Sequence, residues 1–436
     1  MYSISPHEKI FWDRADAAAE MERVFDICHG CRLCDKLCPS FNDLFRRLDS
    51  IDDAQTAAGK GHDNPVLQLT EADSDHVMDV CNQCKLCYPK CPYTPPHQYQ
   101  LDFPRLLLRW QAIRAKERGG NVLQNMALGN TALLGAVGSA VPALMNWANK
   151  NPMMRAGMEL SIGIHRDKLL PEYHAETFTE WFAKRNGTPA ASRKPKGTVG
   201  KVALFYTCTV NFNSPEVGKA CVEVLEHNGV EVVVPHQVCC GMPQLGTADY
   251  PATTKAVDAN TDMLMRYVDD GYTIVTPGPS CGYMMRQEYP HLATDGDAAS
   301  KIATATMDIC EYLMSLHKSG NLKTDFQPSD ESITYHLPCH LKAQNIGFKS
   351  RDLLKLIPGV KVETVQQCSG HDGSWSMKKE YYQISLDFGK KLFDRIEKEN
   401  ADTVASDCLL AHLHISEGTH RESQHPIEIV HKAYGL

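Results

Sequence analysis

Two short runs of cysteine share one spacing: Cys28-Cys31-Cys34-Cys38-Pro39 and Cys81-Cys84-Cys87-Cys91-Pro92. Both read C-x2-C-x2-C-x3-C-P. Three thiols two residues apart can wrap one corner of an iron–sulfur cubane, while the fourth, turned away by the proline, reaches the cluster of the other run. The spacing predicts two [4Fe-4S] clusters, one on Cys28, Cys31, Cys34 and Cys91 and one on Cys81, Cys84, Cys87 and Cys38. A single run would also suit zinc. A matched pair, each ending in Cys-Pro, implies electron transfer.

A second group of cysteines lies further along. Cys208, Cys239-Cys240-Gly241 and Cys281 each follow a run that reads as a strand. Loops at the carboxyl ends of parallel strands converge on one edge, so these four thiols are expected to meet as a metal centre. Cys339, Cys368 and Cys408 occupy matching places later, but Ser369 stands where Cys240 would be. His336, His340, His371 and His412 lie nearby, and His371, in CSGHDG, is the expected fourth ligand. Three thiolates and one imidazole suit a cluster with one unusual ligand, or a single zinc or iron ion. Cys221 and Cys310 fall within helical stretches and read as buried apolar residues.

The elements that must position these groups fall into two textures. Residues 14–26 are rich in helix formers and lead into the first cysteine loop, residues 39–80 read as polar and loop-like with short helices, and 105–118 is helical. NGTPAASRKPKGTVG (186–200) reads as a linker. From 201 onward strands and helices alternate, with Ser214 as the expected cap of a helix that starts at Pro215 and stops at Gly229. Helices are expected at about 249–269, 349–357 and 375–399. The landmarks repeat: Cys208 to Cys339 is 131 positions, Cys239 to Cys368 is 129, and Gly278 to Cys408 and Cys281 to Ala411 are each 130. This is an internal duplication. The fold class is α+β multidomain: a helical two-cluster domain (1–118), a helical linker region (119–196), and two tandem Rossmann-like α/β halves (197–325 and 326–436).

The chain has 436 residues and a formal net charge of −8, so no global basic field points to nucleic acid. The N-terminus lacks an apolar signal-like stretch, and many cysteines without export imply reduced, metal-holding thiols in the cytoplasm. From Gly119 to Asn149 there is no charged residue. Asn130, Thr131, Ser139, Pro142 and Asn146 make this stretch too polar for a bilayer span. Buried helices joining two domains are the first expectation, and a docking or membrane-surface segment is the second.

With two such motifs followed by two Cys-Cys-Gly halves, the chain resembles the iron–sulfur subunit family of anaerobic glycerol-3-phosphate dehydrogenase, glycolate oxidase and heterodisulfide reductase. The stretch 165–182 is also similar to that group. The resemblance implies a subunit, cytoplasmic or peripheral on the inner face of the membrane, that takes electrons from a flavoprotein dehydrogenase or other redox protein. It would pass them to a quinone or a membrane-anchored subunit, or in the reductases to a disulfide. The family pattern has five thiolates per half, which in the heterodisulfide type hold a noncubane cluster. Here Gly278 replaces one in the first half, and Ser369 and Ala411 replace two in the second. A four-thiolate cluster in the first half and a modified centre in the second are therefore expected.

No GxGxxG follows a strand and no P-loop occurs, so a hydride-handling partner must be a separate protein. The leading expectation is a non-flavin electron-transfer subunit of an oxidoreductase complex. The rival is a thiol/disulfide reductase acting at the Cys-Cys-Gly site, and a zinc scaffold is a distant third.

Overall fold

The structure is a computed structural model that describes residues 4–59, 63–119, 122–186 and 198–436. Most of the expected linker at 186–200 lies outside the described residues. The chain forms two compact units: one runs up to Val122 and includes Ala248–Tyr250, the other holds Leu123–Thr247 and Pro251–Leu436.

The first unit is helical. Asp13 accepts hydrogen bonds from Ala15 and Asp16 and so starts helix Arg14–Cys31. Pro39 opens helix Pro39–Ala57, Thr70 and Asp73 form a capping box on Glu71–Asp79, and Asp102 caps Phe103–Arg118. The stretch after Cys38 is thus a 19-residue helix and not the loop-like segment expected from its polarity. Phe41, Leu44, Phe45 and Leu48 recur at helical spacing among its charges and are buried. Phe41 stacks on Phe103 with ring centroids 4.5 Å apart.

The second unit begins with short helices, among them Thr131–Ala140, Pro142–Lys150 and Pro152–Ile162. The expectation that this uncharged stretch is buried is overturned. Leu133 is 62 % exposed, Leu144 60 % and Trp147 55 %. The side turned inward carries glycines instead. A Cβ at Gly135 would lie 2.1 Å from the Phe212 ring and one at Gly138 2.3 Å from Tyr173. Small residues let the helix approach closely, which leaves the large apolar ones outside. Among the described residues no single helix is long and apolar enough to cross a membrane. Thr131–Ala140 and Pro142–Lys150 would suffice together, but they are bent by 111°.

Two parallel sheets follow. Strands β1 (Gly200–Leu204), β2 (Val230–Val233), β3 (Thr273–Thr276) and β4 (Thr306–Asp308) lie in the order β2-β1-β3-β4. Strands β5 (Ser332–His336), β6 (Lys361–Val365), β7 (Thr403–Ser406) and β8 (Ser423–Gln424) repeat it as β6-β5-β7-β8. One order used twice is the structural form of the sequence repeat. Helices pack around each sheet, and one core cluster, with Val202, Val232, Val275, Ile333, Tyr335 and Val430, runs through both halves. Two details differ from expectation. Ser214 occupies the N-cap position of Pro215–His227, but its side chain makes no capping bond. The helix expected from 375 begins at Tyr382, after a short turn at Trp375–Met377.

Candidate metal centres

Helix Arg14–Cys31 carries Cys28 and Cys31 on its last turn, so these two thiols sit on a helix and not in the expected loop. Arg32 then turns left-handed (φ 51°), and Lys85, which likewise follows the second cysteine of its run, does the same (φ 63°). Cys28, Cys31, Cys34 and Cys91 line one pocket together with Phe41, Phe45 and Leu101. Among the described residues no carboxylate or imidazole lines it. A thiol wall on apolar packing fits an iron–sulfur cluster and not a hard cation.

Burial, then Cys34, Cys91 and Cys31, pushes the Cys28 thiol up from its ordinary value. The other four form the complementary group. Cys38 is pushed well up by burial and then by Cys81 and Cys84, against the Phe41 and Ser40 amides at its helix N-terminus. Cys87 is raised by burial and then by Cys84, Cys81 and Cys38. Each run thus sends its last cysteine to the other's company. Short polar contacts brace the thiols: the Tyr93 amide donates to Cys91 Sγ at 3.4 Å and Gln83 Nε2 to Cys81 Sγ at 3.7 Å.

In the first α/β half, Cys208 follows Thr207, a β-branched residue held at φ 63°, where such side chains are strained. The strain sits at the site itself. Cys239 is pulled well below its ordinary value, first by the Cys208 thiol, then by Cys240, the Gly241 amide and Thr131, which together outweigh burial. Cys208 is raised in turn, and Cys240, beside both Cys239 and Cys281, is raised as well. The four thiols therefore form a continuous chain in which Cys239 is the acceptor that its neighbours favour in the charged form. Its loop is fastened by Asn260, wholly buried, whose amide donates to the Cys239 carbonyl at 3.0 Å. Gly241 has φ 94°, and its counterpart Gly370 has φ 74° with no room for a side chain: a Cβ there would lie 1.9 Å from the Ser385 carbonyl. Gly278, where the family pattern has cysteine, faces Thr207, whose Cγ2 would be 2.7 Å from an added Cβ.

The second half is arranged differently. Cys408 is pushed up to about 11 by burial, although the Ala411 and Leu410 amides oppose this. Cys368 Sγ accepts from the Gly370 amide at 3.2 Å. His371 is buried, with Nδ1 2.8 Å from Ser376 Oγ and Nε2 without a hydrogen-bond partner. Its ring lies 5.8 Å from that of His414. The orphaned imidazole nitrogen could take a metal, but the groups acting on the ring are Lys168 and His414 and not the thiols of this half. The other histidines are tied elsewhere: His336 to Ser406 Oγ, His412 to the Ser406 carbonyl, and His340 to Ser280 across the two halves. Ser369 is buried where Cys240 has its counterpart.

Sequence reasoning missed several residues. Thr131, on the uncharged helix, sits with Oγ1 3.7 Å from Cys239 Sγ. Asn260 and the buried trio Lys168, His414 and Glu417 carry no motif. Only a polar residue at a core-facing helical position hinted at Asn260.

Residues 21–119 match the Citrate utilization protein B Fer4-like domain, and residues 202–286 and 333–416 each match the cysteine-rich domain model. Lactate utilization protein A of Bacillus cereus (strain G9842) is 34 % identical over 220 residues, covering 48 % of this chain and 87 % of that protein. The chain belongs to this family of cysteine-rich iron–sulfur proteins. Within it, an anaerobic glycerol-3-phosphate dehydrogenase subunit of Escherichia coli (strain K12) is 26 % identical over 404 residues, covering 83 % of this chain and 99 % of the relative. A fumarate reductase (CoM/CoB) subunit of Methanothermobacter marburgensis is 31 % identical over 236 residues, 53 % of this chain and 44 % of that protein. This chain's own plan is a Fer4-like domain followed by two cysteine-rich domains.

Proposed function

We propose that the chain is an iron–sulfur electron-transfer subunit, which passes electrons between a partner redox enzyme, a flavoprotein dehydrogenase by preference, and an acceptor such as quinone. The observation that carries this reading is the exchange of Cys91 and Cys38 between the two thiol groups. In this reading Cys28, Cys31, Cys34 and Cys91 hold one [4Fe-4S] cluster and Cys81, Cys84, Cys87 and Cys38 the other. Cys208, Cys239, Cys240 and Cys281 hold a further centre, and Cys339, Cys368, Cys408 and His371 a fourth. Bound clusters supply one-electron chemistry at potentials set by their surroundings. The chain's own part is to orient the thiols, donate Tyr93, Gln83, Gly370 and Thr131 hydrogen-bonding groups to sulfur, and exclude water with Phe41 and Phe45.

Domain limits at 118/119, 196/197 and 325/326 belong to the same proposal. Docking to a partner or membrane surface is supported by the exposed Leu133, Leu144 and Trp147. Anaerobic reconstitution with iron counting and paramagnetic resonance tests the reading: about eight irons in the two N-terminal clusters are expected, and a protein that takes up zinc alone overturns it. A second reading, disulfide reduction at the Cys-Cys-Gly site, is favoured by four adjoining thiols of which Cys239 is pulled below its ordinary value. It predicts disulfide-dependent spectral changes that Cys239→Ser abolishes, and turnover without them sinks it.

A further inference from the structure

The two α/β halves meet twice through equivalent positions, and the two meetings differ in chemistry. In each half the last helix begins with a capping box. His425 Nδ1 accepts from the Ile427 amide at 3.1 Å, while Asp308 Oδ1 accepts from the Cys310 amide at 2.8 Å. Each cap also faces the residue that follows the third strand of the opposite half. His425 closes that contact with one neutral hydrogen bond, Nε2 to the Pro277 carbonyl at 3.0 Å. At the other contact Asp308 meets Asp407, with the Cys310 thiol beside them.

One ligating atom from each of Asp308, Cys310 and Asp407 lies within 4.8 Å of the others, and all three residues are buried. Asp407 is held by hydroxyls, accepting from Tyr335 at 2.7 Å and from Ser350. Asp308 is not so satisfied: Oδ1 caps the helix, and Oδ2 is buried with no hydrogen-bond partner. A buried carboxylate oxygen left unpaired is costly, and two carboxylates side by side are more so. Among the described residues, the principal groups acting on the three are carboxyl, hydroxyl, thiol and backbone amide. The contact calls for a proton or a cation between the two carboxyl groups.

We propose that Asp308, Cys310 and Asp407 bind a divalent cation of the zinc class, which staples the two cysteine-rich halves together. Two hard oxygens and one soft sulfur form a mixed donor set that zinc accepts in tetrahedral geometry and calcium or magnesium does not. Ser350, whose hydroxyl donates to Asp407 and also acts on the Cys310 thiol, is the candidate for a fourth oxygen ligand. Asp308 and Cys310 belong to the first half and Asp407 to the second, so the ion would fix one half on the other. Because Asp407 directly precedes Cys408, it would also hold the loop that presents that thiol.

The test uses the full-length protein with its clusters, purified anaerobically from zinc-supplemented cells. About one zinc per chain is expected beyond the cluster iron, with an X-ray absorption shell of one sulfur and otherwise oxygen at ~2.0–2.3 Å. D308N, which keeps the side chain's size, and C310A are each expected to lose the zinc while iron content and circular dichroism stay as in the parent. Zinc retained by both variants, zinc in a shell of several sulfurs, or no zinc in the parent overturns the proposal. If either variant fails to fold, the absorption shell of the parent decides alone.

Discussion

A single thiol has two histories in this molecule, one set by its place in the sequence and one by its neighbours in space. Cys91 belongs to the second run but stands with Cys28, Cys31 and Cys34. We expect C91A and C28A each to lose one cluster, about four irons, and the double variant to lose no more than either. C28A/C38A should lose both clusters, and iron counting separates the two outcomes. Thr131 is the corresponding case at the Cys-Cys-Gly site. Its hydroxyl favours the charged form of Cys239, so T131V should raise that thiol's pKa in the cluster-free protein. The pH dependence of Cys239 alkylation measures this, and an unchanged profile would show that the 3.7 Å contact carries no electrostatic weight. The cysteine ligands were legible in the sequence because their spacing is itself the chemistry. Thr131 was not, since its relation to Cys239 crosses more than one hundred residues and leaves no periodic trace.

At the scale of elements, the repeat was readable from its landmarks, and the strands from their apolar runs. The outer strands β4 and β8, with three and two residues, were not. Strands so short carry too few alternations to register, and they exist because β3 and β7 offer edges for them to pair with. The first cysteine motif misled in the other direction: a metal-binding run suggests a loop, but Cys28 and Cys31 are three apart and fit one face of a helix. The Cys-Cys-Gly turn gives an element-scale prediction. Gly370→Ala must place a Cβ 1.9 Å from the Ser385 carbonyl at φ 74°, whereas at Gly271 (φ 80°) nothing lies within 4 Å. Gly271→Ala should therefore cost about 1 kcal/mol from backbone strain alone. Gly370→Ala should cost ~3 kcal/mol or more, because overpacking is added. Urea unfolding of both variants compares them directly, and equal costs would mean the turn yields more than its contacts imply.

For the molecule as a whole, stability should depend on acid through the contact between halves. Burial lowers His425 from 6.5 to about 4, and its neutral Nε2–H holds the Pro277 carbonyl. Above pH 6.5 neither the folded nor the unfolded form binds the proton, so the full stability is present. As pH falls from 6.5 towards 4 the unfolded chain takes up a proton that the fold refuses, at ~1.4 kcal/mol per pH unit. Glutamine keeps an N–H for the carbonyl but does not titrate. Between pH 7 and 5, His425→Gln should therefore lose about 2 kcal/mol less stability than the parent. Parallel denaturation curves at the two pH values check this, and equal losses would place the acid sensitivity elsewhere.

The exchanged cysteines also bear on the order of events during maturation. With Cys91 beside the first run and Cys38 beside the second, neither set of thiols is complete until the chain between them has already folded back. That intervening segment contains helix Pro39–Ala57 and helix Glu71–Asp79, whose packing is therefore coupled to metal loading. Whichever site fills first closes a loop of more than forty residues and removes most of the entropy opposing the second. Half-loaded chains should accordingly be scarce: under limiting iron and sulfide, the population should divide into empty and doubly filled molecules.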